Sequence, residues 1–357
     1  MKRTPFHDRE KETKEIRDIL DAEPSLITFV YGPINSGKTT LITHLIEELS
    51  DDYVVFYINL RTKFLASYDD FIESLFEMEM ETGRTAKKGK EALAELISSA
   101  TKITGIPITR EFIDYVFKDN KPKNAFSYML KLFEEVKKSG KHPVLVLDEL
   151  QKIGDVKVNG PLIYELFNFF IDLTKEKHLA HVFVATSDSL FIEQVYSKAM
   201  LSGRSEYLLV DDFDEKTTTE FLERYGFTDD ETRVAWDYCG GKPVFLLKLI
   251  RADEKEGIAK KMLATRVNQL KDLFDYLDYT KPRIMIGEDE YRVEKDDVVS
   301  ILKRFVDAEC IGDEGLDRPA KHFLIKDNIL FLDPEIGIIK PQSQLNLLAI
   351  REVMRNA

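Results

Sequence analysis

The chain has 357 residues, of which 43% are hydrophobic, and its formal net charge is −13. This length predicts more than one domain, and this hydrophobic fraction excludes a wholly disordered chain. The negative charge excludes a general electrostatic attraction to nucleic acid or anionic membranes, although it leaves room for a local basic patch.

The sequence shows no membrane-spanning or secretory signal. No apolar run approaches the roughly 20 residues that a transmembrane helix needs. The segment Met1–Glu10 is charged and has no apolar signal core. Cys239 and Cys310 lie far apart without CxxC spacing, which argues against a zinc site of cysteine pairs and against a disulfide framework. We therefore expect a cytoplasmic protein with no membrane partner.

Predicted strands alternate with predicted helices up to about Val210. A polar, helix-prone segment comes first, at Met1–Pro24. Short runs rich in β-branched and aromatic residues predict strands at Ser25–Tyr31, Tyr53–Asn59, Val144–Leu147, His181–Thr186 and Glu206–Val210. Helices are predicted at Lys38–Leu49, at Tyr68–Gly140 with an interruption near Gly105-Ile-Pro107, and at Pro161–Lys175. This alternation favours an α/β fold with a parallel sheet covered on both faces.

The pattern changes near Asp211. Only short helical segments follow up to about Arg251, which predicts a small helical lid. Beyond it, the predicted helices Ile258–Leu277 and Lys295–Ala308 precede Phe323–Phe331, where Asp327-Asn328 is a turn signal between two alternating runs. Helices followed by a hairpin are typical of a winged-helix domain. The predicted domains are residues 1–210, 211–253 and 254–357.

A phosphate-binding loop is predicted between the first strand and the helix that follows it. Residues 32–39 match the pattern GxxxxGK[ST] at each fixed position. Glycine allows the close approach and unusual dihedrals that phosphates require, and backbone N–H groups at a helix start face the anion. Lys38 is expected to neutralise phosphate charge and Thr39 to ligate Mg²⁺. The predicted nucleotide ligands are Gly32, Pro33, Asn35, Ser36, Gly37, Lys38, Thr39 and Thr40.

An acidic pair follows the predicted strand Val144–Leu147. We expect this strand to lie beside the strand of the phosphate-binding loop, with Asp148 emerging at its carboxyl end, where ligands bind in such sheets. Asp148 would hold the water shell of Mg²⁺, and Glu149 would polarise an attacking water. The alternative is a strand that ends in solvated acids.

The strand His181–Thr186 ends in hydroxyl groups, Thr186 and Ser187. Ser187 is a candidate contact to the γ-phosphate or to the attacking water. The alternative is a helix cap, since Ser and Thr commonly begin helices.

Several short motifs, in this order, resemble those of the archaeal ATPase family, which is related to the Orc/Cdc6-type AAA+ and STAND NTPases. The stretch Phe6-His-Asp-Arg9-Glu-Lys-Glu12 is similar to the family's opening F-x-x-R-E-x-E. The others are Asp148-Glu-Leu-Gln151, Gly203-Arg204 and Gly240-Gly-Lys-Pro243. With the phosphate-binding loop they span about residues 6 to 250, and the winged-helix tail also fits the family.

This resemblance implies roles at both ends of that span. The segment from Phe6 to Arg9 would flank the adenine; the alternative is a frayed helix with a solvated Arg9. The turn Gly240–Pro243 would close a lid over the nucleotide, with Pro243 as a contact; the alternative is ordinary helix capping. A clear lid arginine is lacking, and Lys242 or Lys248 would substitute for it.

Two arginines are candidates for the γ-phosphate. Arg204 would supply positive charge within the chain or to a neighbouring subunit, and Arg61, just past a strand end, is a similar candidate. A solvated surface arginine is the alternative for Arg204.

The expected activity is Mg²⁺-dependent hydrolysis of ATP, with Glu149, Lys38, Arg204 and Ser187 as catalytic residues and Thr39 and Asp148 as metal ligands. ATP is expected rather than GTP because no guanine-reading motif is found. Two classes of function stay open. One is an ATPase motor or remodeller that works on a partner, and the other is a slow nucleotide-dependent regulatory or DNA-binding switch, similar to Orc/Cdc6 or STAND proteins, whose ATP state controls assembly.

Self-association also stays open, and weak DNA binding is expected at most. The predicted hairpin around Lys326 offers one clear cation, and the helix Lys295–Ala308 opens with Asp296 and Asp297.

Overall fold

A computed structural model describes residues 6–61, 63, 65, 67–78, 101–108, 113, 115–116, 122–153, 162–196, 201–287 and 289–355. The chain forms two compact units. The first unit comprises the described residues within Met1–Val30, Lys38–Thr186 and Ala199–Leu208. The second comprises those within Tyr31–Gly37, Ser187–Lys198 and Leu209–Ala357. No helix among the described residues is both long and apolar enough to span a membrane.

The first unit is built on a six-stranded sheet. Its strands, in the spatial order β4-β2-β6-β7-β1-β8, are β1 Ile27–Tyr31, β2 Tyr53–Asn59, β4 Lys102–Thr104, β6 His142–Asp148, β7 His181–Thr186 and β8 Ser205–Leu209. A separate pair consists of β3 Phe76–Met78 and β5 Ile106–Ile108. The helices are α1 Glu10–Asp21, α2 Lys38–Glu48, α3 Tyr68–Leu75, α4 Pro122–Lys138 and α5 Leu162–Ile171.

The predicted α/β class and parallel sheet are confirmed. β2 pairs in parallel with β4 and β6, and β6 pairs in parallel with β7. Every residue of β1 and β7 is buried, as expected for strands covered by helices on both faces. Aromatic residues fill the space between sheet and helices; the rings of Phe56 and Phe133 lie 5.0 Å apart, and those of Phe126 and Phe169 stack at 4.6 Å.

Two predictions for this unit were wrong. β6 does not lie beside β1, because β7 is inserted between them. Neighbouring strands are about 4.8 Å apart, so this insertion separates the ends of β1 and β6 by about 10 Å. Gly105 does not interrupt a helix but separates β4 from β5. Most of the predicted helix Tyr68–Gly140 between Met78 and Pro122, and the predicted helix start Pro161, lie outside the described residues.

The second unit is mainly helical. Its helices are α6 Ser189–Tyr196, α7 Glu215–Glu223, α8 Asp229–Cys239, α9 Pro243–Ile250, α10 Lys255–Thr280, α11 Lys295–Lys303, α12 Arg318–Lys326 and α13 Gln344–Arg355. Two small sheets join them. One pairs β9 Arg283–Ile286 with β10 Asp289–Arg292, and the other has the order β11-β13-β12, with β11 Ile311–Gly312, β12 Leu330–Asp333 and β13 Ile338–Pro341.

The short helices predicted between Asp214 and Arg251 are confirmed, and the local sequence explains their ends. Asp214 caps α7 by accepting a hydrogen bond from the Thr217 N–H at 2.7 Å. Thr228 and Glu231 form a capping box at the start of α8. Gly240 ends α8 with a φ of 55°, and Pro243 opens α9.

The hairpin predicted at Phe323–Phe331 was wrong. Residues 318–326 form α12, and Asn328, with a φ of 53°, is part of the turn that ends it. The hairpin lies further along the chain, where β12 and β13 pair antiparallel. The predicted helix at Lys295 ends at Lys303 rather than at Ala308. The terminal helix α13 was not predicted.

Candidate functional site

The loop after β1 has the close backbone approach and the unusual dihedral angles that its glycines predict. A Cβ on Gly32 would lie 2.2 Å from the carbonyl oxygen of Val210, so no larger residue fits there. Gly37 has a φ of 102°, a conformation that other residues rarely adopt. Asn35 takes the left-handed conformation, with a φ of 61°, and the Ser36 N–H donates to the Pro33 carbonyl at 3.2 Å.

Lys38 and Thr39 begin α2. Lys38 is buried, with 6% of its surface exposed, whereas Thr40 is exposed. The first N–H groups of a helix have no intrahelical partner and face an anion with a favourable dipole. The start of α2 is thus suited to phosphate, with a buried lysine at the same point.

Asp148 lies at the carboxyl end of β6 and is almost fully buried. Its Oδ2 accepts hydrogen bonds from the Thr39 hydroxyl at 2.8 Å and from the Tyr57 hydroxyl at 3.0 Å. Burial raises the pKa of the Asp148 carboxyl, and these two hydrogen bonds oppose that rise. The fold therefore brings the two predicted metal ligands, Thr39 and Asp148, into direct contact, and it adds Tyr57, which the sequence analysis missed.

Glu149 is buried in a strained backbone conformation, with a φ of 65°. Its N–H donates to the Ala185 carbonyl at 2.8 Å, which fixes the residue against β7. One carboxylate oxygen forms an ion pair with the guanidinium of Arg61, and the other accepts a hydrogen bond from Gln151 Nε2 at 2.6 Å. Both oxygens of this carboxylate are engaged.

Thr186, rather than Ser187, is connected to Glu149. The Thr186 hydroxyl donates to Gln151 Oε1 at 2.7 Å, and Gln151 in turn binds Glu149. The helix that follows β7 is capped by Asp188, whose carboxylate accepts from the N–H groups of Leu190 and Phe191. Ser187 is half-buried, and its predicted contact to phosphate or water stays a prediction.

Phe6 and Arg9 both contact neighbouring side chains, which contradicts a frayed segment at these residues. The Phe6 ring stacks on the His44 ring of α2, with centroids 3.8 Å apart. Arg9 is buried, has a φ of 81°, and forms an ion pair with Glu12 at 2.9 Å. The alternative of a solvated Arg9 is therefore wrong, and Phe6 and Arg9 lie in the same unit as Lys38.

The structure does not bring Arg204 to the phosphate end of the sheet. The Arg204 carbonyl accepts from the N–H of Ile27, the first residue of β1, while the phosphate-binding loop follows Tyr31, its last residue. The five residues of β1 span about 16 Å. The backbone of Arg204 therefore lies at the end of β1 opposite the phosphate-binding loop. Its role towards a neighbouring subunit stays a prediction.

The lid turn in the second unit positions a buried lysine. Lys242, 2% exposed, lies 2.8 Å from Asp212 Oδ1 and donates to the Ile34 carbonyl at 3.0 Å. Burial lowers the pKa of Lys242 and raises that of Asp212, and their mutual attraction opposes both changes. The N–H of the same residue, Ile34, donates to Gln342 Oε1 at 3.1 Å. Gln342 and Asp212 were not predicted from the sequence.

The parallel sheet, the glycine-rich loop at the end of β1 and the acid at the end of β6 define the class of the protein as a P-loop NTPase. Residues 6–249 match the family described as an ATPase domain predominantly from Archaea. The chain belongs to this archaeal ATPase family, as the resemblance of its motifs predicted. Residues 256–354 match the C-terminal domain of the uncharacterised MJ1010-like ATP-binding proteins.

Curated relatives cover nearly the whole chain. An uncharacterised ATP-binding protein of Pyrococcus abyssi is 50% identical over 351 residues, which are 98% of this chain and 99% of the relative. One of Methanocaldococcus jannaschii is 47% identical over 364 residues, covering 98% and 97%. Among solved structures, the Walker-type ATPase PABY2304 of Pyrococcus abyssi covers 97% of this chain and 96% of its own, with a TM-score of 0.64 and 16% identity. That likeness concerns the fold alone.

Proposed function

We propose that the chain binds ATP with Mg²⁺ through residues 32–39 and hydrolyses it slowly to ADP and phosphate. The observation that carries this proposal is the 2.8 Å hydrogen bond between Thr39 and Asp148. Thr39 ends the phosphate-binding motif and Asp148 ends the strand β6. The two residues lie 109 positions apart in the chain. A magnesium site of this class needs both oxygens at one place.

The residues present fit magnesium. Mg²⁺ prefers oxygen ligands and is usually held by one or two protein groups together with substrate phosphates and water. The Thr39 hydroxyl and the Asp148 carboxylate supply such oxygens, and Tyr57 fixes the orientation of the carboxylate. When bound, the ion supplies charge neutralisation on the β- and γ-phosphate oxygens. Burial raises the pKa of Asp148, and a cation beside it would favour the ionised carboxylate.

The chain's own residues would divide the remaining work. Lys38, buried at the start of α2, would neutralise phosphate charge in a partly dry site, where such a contact is strong. Glu149 would orient the attacking water and accept its proton. Arg61 and Gln151 each take up one lone pair of the Glu149 carboxylate and fix its orientation, so an attacking water would have to reach the lone pairs that remain.

This engagement of Glu149 favours the slow switch over the motor. A base held in one orientation by an arginine reaches the attacking water less often, unless a partner or a conformational change releases it. The lid lysine Lys242 and Gln342 both bind the Ile34 peptide of the same loop. The nucleotide state would therefore be transmitted to the C-terminal region, and from there to a protein partner.

The test is calorimetric titration of the full chain with ATP and Mg²⁺, followed by measurement of phosphate release. Lys38→Ala should weaken ATP binding about 10- to 100-fold, since it removes a charge-assisted hydrogen bond. Lys131→Ala, an exposed lysine on α4, serves as the matched control and should bind ATP as the parent does. Equal affinity in Lys38→Ala and Lys131→Ala would exclude the proposed site.

Glu149→Gln tests the chemistry separately from binding. It should keep ATP affinity and lower turnover about 100-fold or more, because the amide cannot accept the proton of the attacking water. Glu165→Gln, an exposed glutamate on α5, is the control. Parental turnover in Glu149→Gln would assign the base to another residue.

A further inference from the structure

The predicted phosphate-binding loop is packed by the C-terminal part of the chain. Residues 31–37 belong to the second compact unit, whereas Val30 and Lys38 on either side of them belong to the first. Two of these loop residues are held by side chains at the ends of the hairpin of β12 and β13, which lie 302 and 308 positions further along the chain. The hairpin therefore contacts the loop directly and at more than one point.

Tyr31, the residue before the first glycine of the loop, is held by an acid at the end of β12. The residue is 1% exposed, and its ring stacks on that of Phe331 with centroids 6.4 Å apart. Its hydroxyl donates to Asp333 Oδ1 at 2.8 Å, and Glu335 Oε2 lies 3.2 Å from the same hydroxyl. Burial raises the pKa of Tyr31, so this hydroxyl keeps its proton and stays a donor.

Gln342, directly after β13, holds Ile34 in the middle of the loop. Its Oε1 accepts a hydrogen bond from the Ile34 N–H at 3.1 Å, and its Nε2 donates to the Leu330 carbonyl at 3.1 Å. The residue is 4% exposed, and its own N–H donates to the Ile329 carbonyl at 3.0 Å. The side-chain amide is thus bound at both ends inside the protein, which fixes its orientation.

The loop has a backbone that needs such support. Gly32, Asn35 and Gly37 have positive φ angles of 152°, 61° and 102°. Asn35 is not a glycine, so its left-handed conformation costs free energy and persists only where neighbouring groups fix it. The contacts of Tyr31 and Ile34 come directly before Gly32 and Asn35 in the chain. A loop that is fixed before its ligand arrives loses less conformational entropy on binding, which raises affinity.

We propose that Tyr31 and Gln342 are positioning residues, through which the hairpin of β12 and β13 sets how long a nucleotide stays bound. Neither side chain is assigned to the phosphates, and Ile34 is the one residue of the motif without a predicted ligand role. Loss of either hydrogen bond lets the loop leave its bound shape and release the nucleotide faster. A partner that displaces the hairpin would have the same effect. The effect on the nucleotide rests on the proposed function, whereas the hold on the loop does not.

Amide hydrogen exchange of the full chain without nucleotide tests the hold on the loop. Gln342→Met keeps the length of the side chain but removes the acceptor of the Ile34 N–H, so this amide should exchange at least about threefold faster. Gln344→Met, two residues along, is the matched control, since the Gln344 amide donates to the Asp237 carbonyl instead. It should leave the exchange of Ile34 unchanged. Unchanged exchange of Ile34 in Gln342→Met overturns the proposal.

Stopped-flow dissociation of N-methylanthraniloyl-ATP, with Mg²⁺ present, measures the effect on the nucleotide. Tyr31→Phe, which keeps the ring, and Gln342→Met should each raise the dissociation rate constant about three- to tenfold, since each removes one hydrogen bond. Asp333→Asn keeps an acceptor for the Tyr31 hydroxyl and should release the analogue as the parent does. Tyr53→Phe removes a hydroxyl bound to the Leu20 carbonyl at 3.1 Å and controls for a purely structural loss. It should leave the rate unchanged.

The two measurements separate this proposal from the proposed function. The proposal is overturned if Tyr31→Phe and Gln342→Met both release the analogue within about twofold of the parent rate. It is also overturned if Tyr53→Phe releases the analogue as fast as Tyr31→Phe does. Urea unfolding should show that all variants are folded. If the parent binds no analogue, the proposed function fails, and the exchange of the Ile34 amide alone decides whether the hairpin holds the loop.

Discussion

The guanidinium of Arg61 forms an ion pair with the carboxylate of Glu149, and Gln151 binds the second oxygen of that carboxylate. Arg61 follows β2 and Glu149 follows β6, two strands that pair in parallel, so their ends meet at one edge of the sheet. The arginine is 57% exposed in its side chain, whereas the glutamate is 8% exposed. An exposed arginine thus holds a buried acid in place.

We predict that Arg61→Ala raises basal ATP turnover about two- to tenfold, because it removes the ion pair that holds the Glu149 carboxylate and lets this carboxylate turn towards an attacking water. ATP affinity should change little. Arg17→Ala, which removes a surface ion pair with Glu48, is the control and should leave turnover unchanged. Phosphate release under saturating ATP measures the effect. A fall of more than about tenfold would instead place Arg61 on the γ-phosphate, as the sequence alone suggested.

A second prediction concerns the buried pair of Lys242 and Asp212. Lys242→Met should lower the free energy of unfolding of the second unit by about 3 kcal/mol, since it leaves a largely buried carboxylate without its partner. The matched control is Lys340→Met, which removes the ion pair with the adjacent Asp211. That pair is about one third exposed on both sides and should cost at most about 1 kcal/mol. Urea unfolding measures both. Equal losses would show that burial does not distinguish the two pairs.

A third prediction concerns pH. Burial lowers the pKa of His322 to about 4, so the folded state holds this ring neutral. The unfolded chain takes up the proton near its ordinary pKa of about 6.5, and the stability contributed by the neutral ring is therefore complete above that pH and is lost as pH falls towards 4. Between pH 7 and pH 5 the loss is about 2 kcal/mol.

His322→Phe should remove this dependence on pH while keeping a buried ring. Urea unfolding at pH 7 and pH 5 gives the comparison. His181, whose pKa burial also lowers to about 4, retains its own contribution in both proteins and so does not confound the difference. An identical loss of stability in the parent and the variant would contradict the burial of a neutral His322.

A fourth prediction is that the protein does not bind duplex DNA tightly. The turn between β12 and β13 carries Glu335, and Lys340 of this hairpin is paired with Asp211. On α12, Lys321 is buried in ion pairs with Glu193 at 2.9 Å and Asp313 at 3.6 Å, and only Arg318 and Lys326 remain as further cations of that helix. Few neutralised phosphates give weak binding with a shallow dependence on salt.

Fluorescence anisotropy with random and genomic duplexes, with and without ATP, tests this at physiological salt. Dissociation constants above about 1 μM are expected, as for nonspecific binding. Nanomolar, sequence-dependent binding would contradict the prediction and favour a DNA-binding switch.

The sequence predicted the phosphate-binding loop and the acid at the end of β6 because their requirements are local. Gly32 and Gly37 are needed by the backbone at their own positions, and an apolar run such as Val144–Leu147 identifies a buried strand without reference to its neighbours. Family membership followed from the same short motifs in order.

The prediction from sequence failed for a short segment whose apolar residues fit both the helical and the strand periodicity. Phe323 and Leu324 fit the spacing of a helix together with Ala320, and the same run also alternates as a strand would. Helix α12 forms because Asp317 caps it and because its apolar face, including Leu324, enters the core of the second unit. Packing against distant residues, which is not visible in the sequence, decided in favour of the helix over the strand.

By itself, the sequence determined the class of fold, the phosphate-binding loop and the two consecutive acids Asp148 and Glu149 that follow a buried strand. Only the tertiary structure decided the insertion of β7 between β1 and β6, the ion pair that engages Glu149, and the contacts of Lys242 and Gln342 with Ile34. Backbone conformation and burial of a strand depend on neighbouring residues, whereas strand order and side-chain contacts depend on which distant segments pack together.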